Sequence, residues 1–351
     1  METEGVRQNI RHFDYLKALL MGLVILGHIN FANQAIKGWI YAFHMPAFFF
    51  ASGLLLKDRP VQGLRECRGV LWRCFQGLMS PYFIWGLVYA SLNASNLVRI
   101  LYGSHRSLMS AHTLTSLWFL PVLFEATGLF VLSQLVFKER LNAPVKLLLA
   151  AVSLGVAAFL PKFRHGYPWC LDVSLAAFGF LLMGNLLSPL LRRVQGDSGG
   201  RPGKFAPLWL LLAALSFAGT LLHRLNNPKF GIALMAEARY GNFPLFVLTA
   251  CLGVSLVVFA GLLLDCLVPR SLPPKADILS FLGKNTLCAF VVHKPIIELF
   301  RDVFQRIPAS DAVSLAVTFA GTAIGCCLLA LVMNRHFPAL LGKAAQRETS
   351  H

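Results

Sequence analysis

Charged residues are scarce in this sequence of 351 residues. They make up 14% of the chain, against about 25% in a typical soluble domain. Hydrophobic types reach 56%, and the mean hydropathy is +0.62. This composition excludes an ordinary soluble enzyme and indicates a membrane protein whose surroundings are a lipid bilayer.

Acidic residues are rarer still. The chain has 16 Asp and Glu against 32 Lys and Arg, which gives a formal net charge of +16. A surplus of this size can indicate nucleic-acid binding, but here the basic residues lie in short loops between apolar segments. The positive-inside rule accounts for that arrangement, so we expect no nucleic acid as a partner.

Paired cysteines are also missing. None of the eight cysteines forms a Cys-x-x-Cys pair, which argues against structural zinc. Three histidines in apolar segments could in principle bind a metal. No helical His-x-x-x-His spacing accompanies them, so we expect no metal cofactor.

Long apolar runs dominate what is present. A transmembrane helix needs about 20 mostly apolar residues, and lipid leaves no partner for open backbone groups. We therefore predict an all-α, polytopic membrane helix bundle of about ten transmembrane helices, forming a single membrane-embedded domain over 1–351. The predicted spans are 14–33, 39–56, 70–93, 117–137, 144–160, 171–191, 206–225, 243–264, 278–300 and 312–334. Loops rich in Gly and Pro, such as 196–203 and 269–274, separate them.

Loop charge predicts the orientation of these spans. If the N-terminus is cytoplasmic, the inner segments carry 18 Lys and Arg and the outer loops carry 10. This bias predicts that both termini are cytoplasmic. It also fits a multi-pass protein of the cell membrane, which is the inner membrane if the source is bacterial.

Three histidines and one glutamate lie well inside the predicted spans. Such residues are costly in a bilayer and usually face the interior of a bundle, where they have a function. At 1.5 Å per helical residue, His28, His44 and Glu125 fall in the outer half of the membrane, and His293 falls near its middle. We expect them to share the interior of one bundle.

Three cations form a second group near the inner ends of their spans. Lys17, Arg73 and Lys284 are suited to binding phosphate. The two groups together suggest a donor that anchors phosphates at the cytoplasmic mouth and extends a reactive end towards the histidines. Charge predicts the phosphates, but it does not identify the reactive group.

Four motifs identify a family. They are Asp14-x-Leu16-Lys17 with Gly27-His28, Phe43-His44-Met45-Pro46-x-Phe48-Phe49-Phe50-x-Ser52-Gly53, Leu117-Trp118-Phe119-Leu120-Pro121, and Leu282-Gly283-Lys284-Asn285-Thr286-Leu287 with His293-Lys294-Pro295. In this order they resemble the acyltransferase-3 family of integral membrane acyltransferases, and most closely its fucose 4-O-acetylase-like branch. Much of that family has Arg where this chain has Lys17, so a point charge replaces a planar fork.

The resemblance implies an enzyme. Its expected reaction is transfer of an acyl group, usually acetyl, from cytoplasmic acyl-CoA to a hydroxyl of a cell-envelope sugar or glycan. Acetyl-CoA is thus the expected donor. His28 is the expected general base, since imidazole suits proton removal near neutral pH. An acyl-imidazole relay at the same residue is the alternative.

Three of the other candidate residues, His44, Lys17 and Arg73, have two interpretations. His44 either takes part in catalysis or bonds the carbonyls that Pro46 frees in its helix. Glu125 is expected to orient a histidine or raise its basicity. Lys17, Arg73 and Lys284 are expected to contact the donor, although Lys17 and Arg73 could instead extend to the inner headgroups.

Four further residues are expected to contact the substrate. Trp118 and Phe119 are either a platform for a sugar ring or part of an aromatic belt at the membrane surface. Asn285 and His293 belong to the fourth motif, and Asn285 could instead bond to a neighbouring helix.

Two other classes of protein fit part of these observations. A proton-coupled transporter or exporter of a small anionic solute would use the buried His and Glu as a proton relay. It would favour an inverted repeat between halves, and no repeat is visible. A non-catalytic polytopic scaffold leaves the buried ionisable residues without a role.

Overall fold

The computed structural model describes residues 2–30, 33–90, 93–109, 112–198, 206–230, 232–269, 271–273, 276–307 and 309–343. Throughout these ranges the regular elements are helices, which confirms the all-α class for this part of the chain. Some predicted features lie outside the described residues. They are the ends of two spans at 31–32 and 91–92, positions 199–203 of the loop 196–203, and positions 270 and 274 of the loop 269–274.

Fifteen α-helices follow one another within the described ranges. They are α1 (Glu2–His28), α2 (Gln34–Tyr41), α3 (His44–Leu55), α4 (Leu64–Cys74), α5 (Ser80–Tyr89), α6 (Ala94–Tyr102), α7 (His105–Leu108), α8 (Phe119–Phe137), α9 (Ala143–Phe159), α10 (Leu171–Ser198), α11 (Ala206–Phe230), α12 (Phe243–Leu267), α13 (Ile278–Lys284), α14 (Thr286–Arg306) and α15 (Asp311–His336). A π-helical turn, Phe75–Met79, joins α4 to α5. Short 3₁₀ turns include His112–Trp118, Pro168–Cys170 and Met235–Glu237.

Short polar side chains fix where several of these helices begin. Asn33, Asn93, Asn142 and Asn242 each accept a hydrogen bond from a backbone N–H in the first turn of the helix that follows. Asp277 does the same for α13. These N-caps satisfy donors that a helix start leaves open, so the boundaries between apolar segments follow from local sequence.

Five helical segments are long and apolar enough to cross a membrane. They are Gln34–Leu55, Leu114–Arg140, Pro168–Arg193, Phe243–Leu267 and Asp311–His336. Two shorter apolar helices, Ala143–Phe159 and Leu210–Asn226, lie within two more of the predicted spans. The chain is therefore a multi-pass membrane protein. Ten spans and the cytoplasmic position of both termini stay predictions.

Two of the predicted spans are interrupted. The span 39–56 contains a turn at Ala42 and Phe43, and the span 278–300 is divided at Asn285. Asn285 has φ −114° and ψ 23°, and its side-chain Nδ2 donates to the carbonyl of Phe281 over 2.8 Å. Asn competes with the helical backbone for such bonds, which explains the break.

The chain divides into two compact units. Unit 1 comprises Met1–Ala51, Leu187–Leu234 and Tyr240–Ala330, and unit 2 comprises Ser52–Leu186, Met235–Arg239 and Leu331–His351. The two units are described separately.

Helix α1 is the centre of unit 1. It packs against α12, α13 and α14, and the side chains of Leu20, Met21 and Ile25 are fully buried. The approach of α13 is especially close, because a Cβ atom on Gly283 would overlap the backbone of Asp14. Glycine at this position lets the two helices touch through their backbones and brings Lys284 next to α1.

Unit 2 is organised around α8, which packs against α4 and the π-helical turn. A buried lysine ties other elements together. Lys146 on α9 is 3% exposed, and its Nζ lies 2.6 Å from Oδ2 of Asp58 and 2.9 Å from Oδ1 of Asn185 on α10. Asn185 in turn donates to the carbonyl of Leu56 over 3.1 Å. This network fastens the segment after α3 to two helices.

Candidate active site

Three of the predicted site histidines lie together in unit 1. The rings of His28 and His293 are 5.1 Å apart, measured between centroids, and meet edge to face at 78°. Tyr41 connects the third histidine, because its ring lies 6.5 Å from that of His28 and 5.1 Å from that of His44. We call His28, Tyr41, His44 and His293 the histidine cluster.

All three imidazoles are held in the same way. The Nδ1 of His28 lies 3.0 Å from the carbonyl of Val24, and that of His44 lies 2.8 Å from the carbonyl of Ile40. The Nδ1 of His293 lies 2.7 Å from the carbonyl of Phe290. A carbonyl can only accept, so each Nδ1 carries a proton, and in the neutral ring each Nε2 keeps its lone pair. The backbone therefore prepares every ring to accept a proton at Nε2.

The histidines differ in exposure. His44 is 2% exposed and His293 is fully buried, whereas His28 is half-buried at the end of α1. The Nε2 of His293 has no hydrogen-bond partner among the described residues. A base has to reach its substrate, and this favours His28 within the cluster.

Tyr41 fixes the position of the cluster. Its hydroxyl donates to the carbonyl of Gly27 over 3.1 Å, which fastens α2 to the end of α1 beside His28. The following turn is also anchored, since a Cβ atom on Gly253 of α12 would overlap the ring of Phe43. His44 begins α3, so Pro46 stands in the first turn, where its missing N–H costs no helical bond. The bond from His44 to Ile40 agrees with a structural role, and it leaves Nε2 open for catalysis.

Two of the predicted cations meet on a buried carboxylate of unit 1. Asp14 is 1% exposed, and its Oδ1 lies 3.0 Å from Nζ of Lys17. Its Oδ2 lies 3.8 Å from Nζ of Lys284, and the hydroxyl of Ser280 donates to the same oxygen over 3.3 Å. We call Asp14, Lys17, Ser280 and Lys284 the Asp14 cluster.

The carboxylate of Asp14 reduces the positive charge at this part of α1. Two ammonium groups on one carboxylate leave a net charge of +1. The side chain of Lys17 is 21% exposed, so this residue serves mainly Asp14, whereas that of Lys284 is 57% exposed and reaches solvent. Lys284 is therefore the cation of this cluster that an incoming anion meets first.

The two clusters of unit 1 lie on the same helix. Eleven residues separate Lys17 from His28 on α1, which corresponds to about 16 Å along the axis. The helices that pack against α1 carry the other members of the two clusters, because Lys284 lies on α13 and His293 lies on α14. Unit 1 thus holds the Asp14 cluster and the histidine cluster at two different levels along α1.

Glu125, on α8, belongs to unit 2. Its Oε2 accepts a short hydrogen bond from the hydroxyl of Ser174 on α10, and Ser174 also contacts the carbonyl of Cys170. The carboxyl is half-buried between these two helices. The predicted role of Glu125 as a partner of a histidine stays a prediction.

The other four predicted residues lie outside the two clusters of unit 1. Trp118 and Phe119 are 6% and 7% exposed, and Trp118 contacts the ring of His105 edge to face at 6.2 Å. Arg73 is exposed in the last turn of α4. Asn285 is buried at the junction of α13 and α14. Contacts of these four residues with donor or acceptor stay predictions.

Sequence reasoning missed three polar partners. Asp14 stands three residues before Lys17, and this i,i+3 spacing was a signal for an ion pair on one helix. Tyr41 stands three residues before His44, with the same kind of signal. Ser174 had none, because it meets Glu125 from a distant helix.

Among the described residues, no group of His, Cys, Asp or Glu is arranged to hold a metal ion. A helical, multi-pass chain with an imidazole cluster and an ion-paired cation cluster defines a membrane protein with a buried polar site. Comparison with known families identifies the family to which the chain belongs. The chain belongs to the acyltransferase-3 family, whose acyltransferase domain model matches residues 10–332. The family expected from the four motifs is thus confirmed, and the fucose 4-O-acetylase-like branch stays a prediction.

One curated relative is the nodulation protein NolL of Sinorhizobium fredii (strain NBRC 101917 / NGR234). It is 29% identical over 182 residues, which is 47% of this chain and 48% of the relative. The chain therefore spans about half the length of the curated relative it matches. No solved structure matches this chain.

Proposed function

We propose that this chain is a membrane O-acyltransferase that moves an acetyl group from cytoplasmic acetyl-CoA to a hydroxyl of a cell-envelope sugar or glycan. Membership of the acyltransferase-3 family supports the reaction class. The observation that carries the proposal is the state of His28. This half-buried imidazole bears its proton on Nδ1 and offers Nε2 at the end of the apolar stretch 18–27 of α1.

His28 is the general base in this scheme. Its Nε2 takes the proton of the acceptor hydroxyl while the oxygen attacks the thioester carbonyl and forms a new C–O bond. The tetrahedral intermediate then collapses, the C–S bond breaks, and the imidazolium returns the proton to the leaving sulfur. A positioned base of this kind contributes about 10²–10⁴-fold to the rate. His28 acts on acceptor and donor directly, without an acyl-imidazole intermediate.

The other histidines of the cluster have supporting roles. His293 lies beside His28, and its buried Nε2 would accept a hydrogen bond from the Nε2–H of His28 once that ring has taken the proton of the acceptor hydroxyl. His44 extends the same set of acceptors through Tyr41. Two further imidazoles without charge lower the cost of holding a polar substrate in an apolar bundle.

The Asp14 cluster is the donor end of the scheme. Lys284 binds a phosphate of acetyl-CoA, and Lys17 holds the carboxylate that orients Lys284. The separation of about 16 Å along α1 requires a donor whose phosphates and thioester are joined by a long arm. Coenzyme A thioesters have that shape. Arg73, which is exposed on α4, is proposed as a further phosphate contact.

The envelope glycan of cells with and without the chain tests the proposal. Glycan is isolated from a strain that lacks the chain and from the same strain complemented with it, and the masses are compared. The proposal expects a mass increase of one acyl group per modified sugar in the complemented strain, which alkaline treatment removes. Identical glycans in both strains, combined with solute flux through liposomes that contain the purified chain and no acyl donor, would favour a transporter instead.

A further inference from the structure

Unit 2 contains a pocket that the proposed chemistry does not use. It lies where α7, the segment 161–170, the start of α10 and the 3₁₀ turn Met235–Glu237 meet. The polar and aromatic side chains around it are those of His105, Arg106, Lys162, Phe163, Asp172 and Glu237. These segments belong to predicted outer loops or to the outer end of a predicted span, on the side from which an envelope acceptor would approach.

The walls of the pocket are fixed by hydrogen bonds rather than by regular structure. Arg106 donates from Nη1 to the carbonyls of Phe163 and Arg164 over 3.3 and 3.2 Å. Ser104 donates to the carbonyl of His165 over 2.6 Å, and Tyr102 donates to that of Gly166 over 2.8 Å. A loop held at four consecutive positions is ordered before any ligand arrives, which reduces the entropic cost of binding.

The backbone next to this loop adopts unusual conformations. Trp169 and Cys170 have φ values of 52° and 60°, in the left-handed region that residues other than glycine rarely adopt. The backbone N–H of His105 donates to Sγ of Cys170 over 3.1 Å, and the indole of Trp169 donates to the carbonyl of Leu101 over 2.9 Å. Strained residues held in place by such bonds are typical of ligand sites.

The charges of the pocket are balanced. Arg106 and Lys162 line the pocket together with Asp172 and Glu237, so the formal charge of its lining sums to zero, and Glu237 also pairs with Arg239 outside the lining over 3.7 Å. An anionic ligand would meet two carboxylates, and a cationic ligand would meet two cations. A neutral ligand with several hydroxyl groups suits both signs, because carboxylates accept hydrogen bonds from hydroxyls while Arg and Lys donate to them.

Aromatic surface completes the pocket. The ring of Phe163 is 54% exposed and lies 4.8 Å from that of Tyr167, which also lines the pocket. An exposed ring beside hydrogen-bonding groups offers an apolar face to the C–H side of a sugar and polar groups to its hydroxyls.

We propose that the mouth of this pocket, defined by Arg106, Lys162, Phe163, Asp172 and Glu237, binds a neutral sugar ring of the acceptor. The enclosed space measures only about 20 Å³, so the ring lies across the mouth against Phe163 rather than inside the pocket. The choice of a sugar rests on the proposed function, and it adds a location and a charge class to it. Two contacts link the pocket to predicted site residues. Cys170 in its wall is joined through Ser174 to Glu125, and His105 packs on Trp118.

Saturation-transfer NMR on the full chain in nanodiscs tests this proposal without an acyl donor. The probes are L-fucose, D-galactose, D-glucose and N-acetylglucosamine as neutral sugars, and D-glucuronate as an anionic one. We expect at least one neutral sugar to bind and glucuronate to bind at least tenfold more weakly. Phe163→Ala should weaken that binding at least tenfold. Phe159→Ala is the matched control, since it removes an 89% exposed ring of the same unit outside this pocket.

Two further variants separate the possible failures. The double variant Asp172→Asn and Glu237→Gln should raise the dissociation constant for the neutral sugar at least tenfold, and an unchanged melting temperature would show that it folds. His336→Ala, which removes an exposed histidine outside this pocket and outside the histidine cluster, should bind sugar like the wild type. Absence of binding for every neutral sugar, or unchanged binding in Phe163→Ala, would overturn the inference. Retained sugar binding in a chain that acylates no glycan would instead refute the proposed reaction and leave this sugar site standing.

Discussion

Replacement of Lys284 by Met is a sharp test of the donor site. Lys284 and Lys17 both face Asp14, but only Lys284 is largely exposed. Loss of its ammonium lowers the net charge of the Asp14 cluster from +1 to zero, and Asp14 keeps Lys17 at 3.0 Å and Ser280 at 3.3 Å. We therefore expect weaker donor binding with little loss of stability.

The size of the effect follows from Coulomb's law. One unit charge about 4 Å from a phosphate contributes roughly 1 kcal/mol in a water-like medium and about 4 kcal/mol at an effective dielectric of 20. The 57% exposure of the Lys284 side chain places it near the lower value. The KM for acetyl-CoA should thus rise about five- to tenfold, and added salt should reduce the difference from the wild type. The free energy of unfolding should change by only about 0–1 kcal/mol, as for other exposed ion pairs.

The assay measures CoA release by the purified full chain in nanodiscs. CoA is quantified by chromatography rather than with a thiol reagent, because the chain has free cysteines and Cys266 is exposed. Lys37→Met is the matched control, since it removes one positive charge of unit 1 on α2, which is predicted to lie towards the outer side. Its KM should equal that of the wild type.

Comparison of Lys17→Met with Lys284→Met separates an effect on folding from an effect on donor binding. It leaves the buried carboxylate of Asp14 with Lys284 at 3.8 Å, so it should cost about 3 kcal/mol of stability as well as raise KM. An unchanged KM in Lys284→Met would refute the assignment of the Asp14 cluster to the donor phosphates. A rise in KM that is equally large in Lys37→Met would refute it as well.

Three further predictions concern the scaffold. Lys146→Met should lower the free energy of unfolding by about 1–3 kcal/mol, measured by denaturant titration, because it leaves Oδ1 of the buried Asn185 without its donor. Gly283→Ala should lower the melting temperature and cost about 1–3 kcal/mol or more, since its new Cβ overlaps the backbone of Asp14. Burial acts to raise the pKa of Asp277, but its hydrogen bonds outweigh burial and hold the pKa below its ordinary value. Its stabilising effect is therefore present above about pH 4 and lost as the pH falls further, so Asp277→Asn should lower the melting temperature at pH 7 and much less near pH 3.

Much of the fold could be predicted from apolar runs and punctuation. Five predicted spans coincide with membrane-competent helices, because a bilayer allows few alternatives to a continuous helix. The interruptions at Ala42–Phe43 and at Asn285 were not foreseen. Both depend on short-range hydrogen bonding and close packing, which hydropathy does not register.

The candidate site could be predicted in part. The positions of His28, His44 and His293 along their spans already suggested similar depths. Depth does not fix which face of a helix a side chain occupies, so the contact between His28 and His293 needed the tertiary structure. The Asp14 cluster shows the same limit, since Lys284 reaches Asp14 only through the close packing of α13 on α1.

The initial rate of acyl transfer by His28→Ala tests the central claim most directly. Membrane vesicles that contain the wild type or the variant receive labelled acetyl-CoA at saturating concentration, and label in the glycan fraction is followed. His336→Ala, which removes an exposed histidine at the end of α15, is the control. We expect a fall of about 10²–10⁴-fold for His28→Ala at unchanged protein level, and no change for His336→Ala. A rate for His28→Ala within threefold of the wild type would contradict that claim.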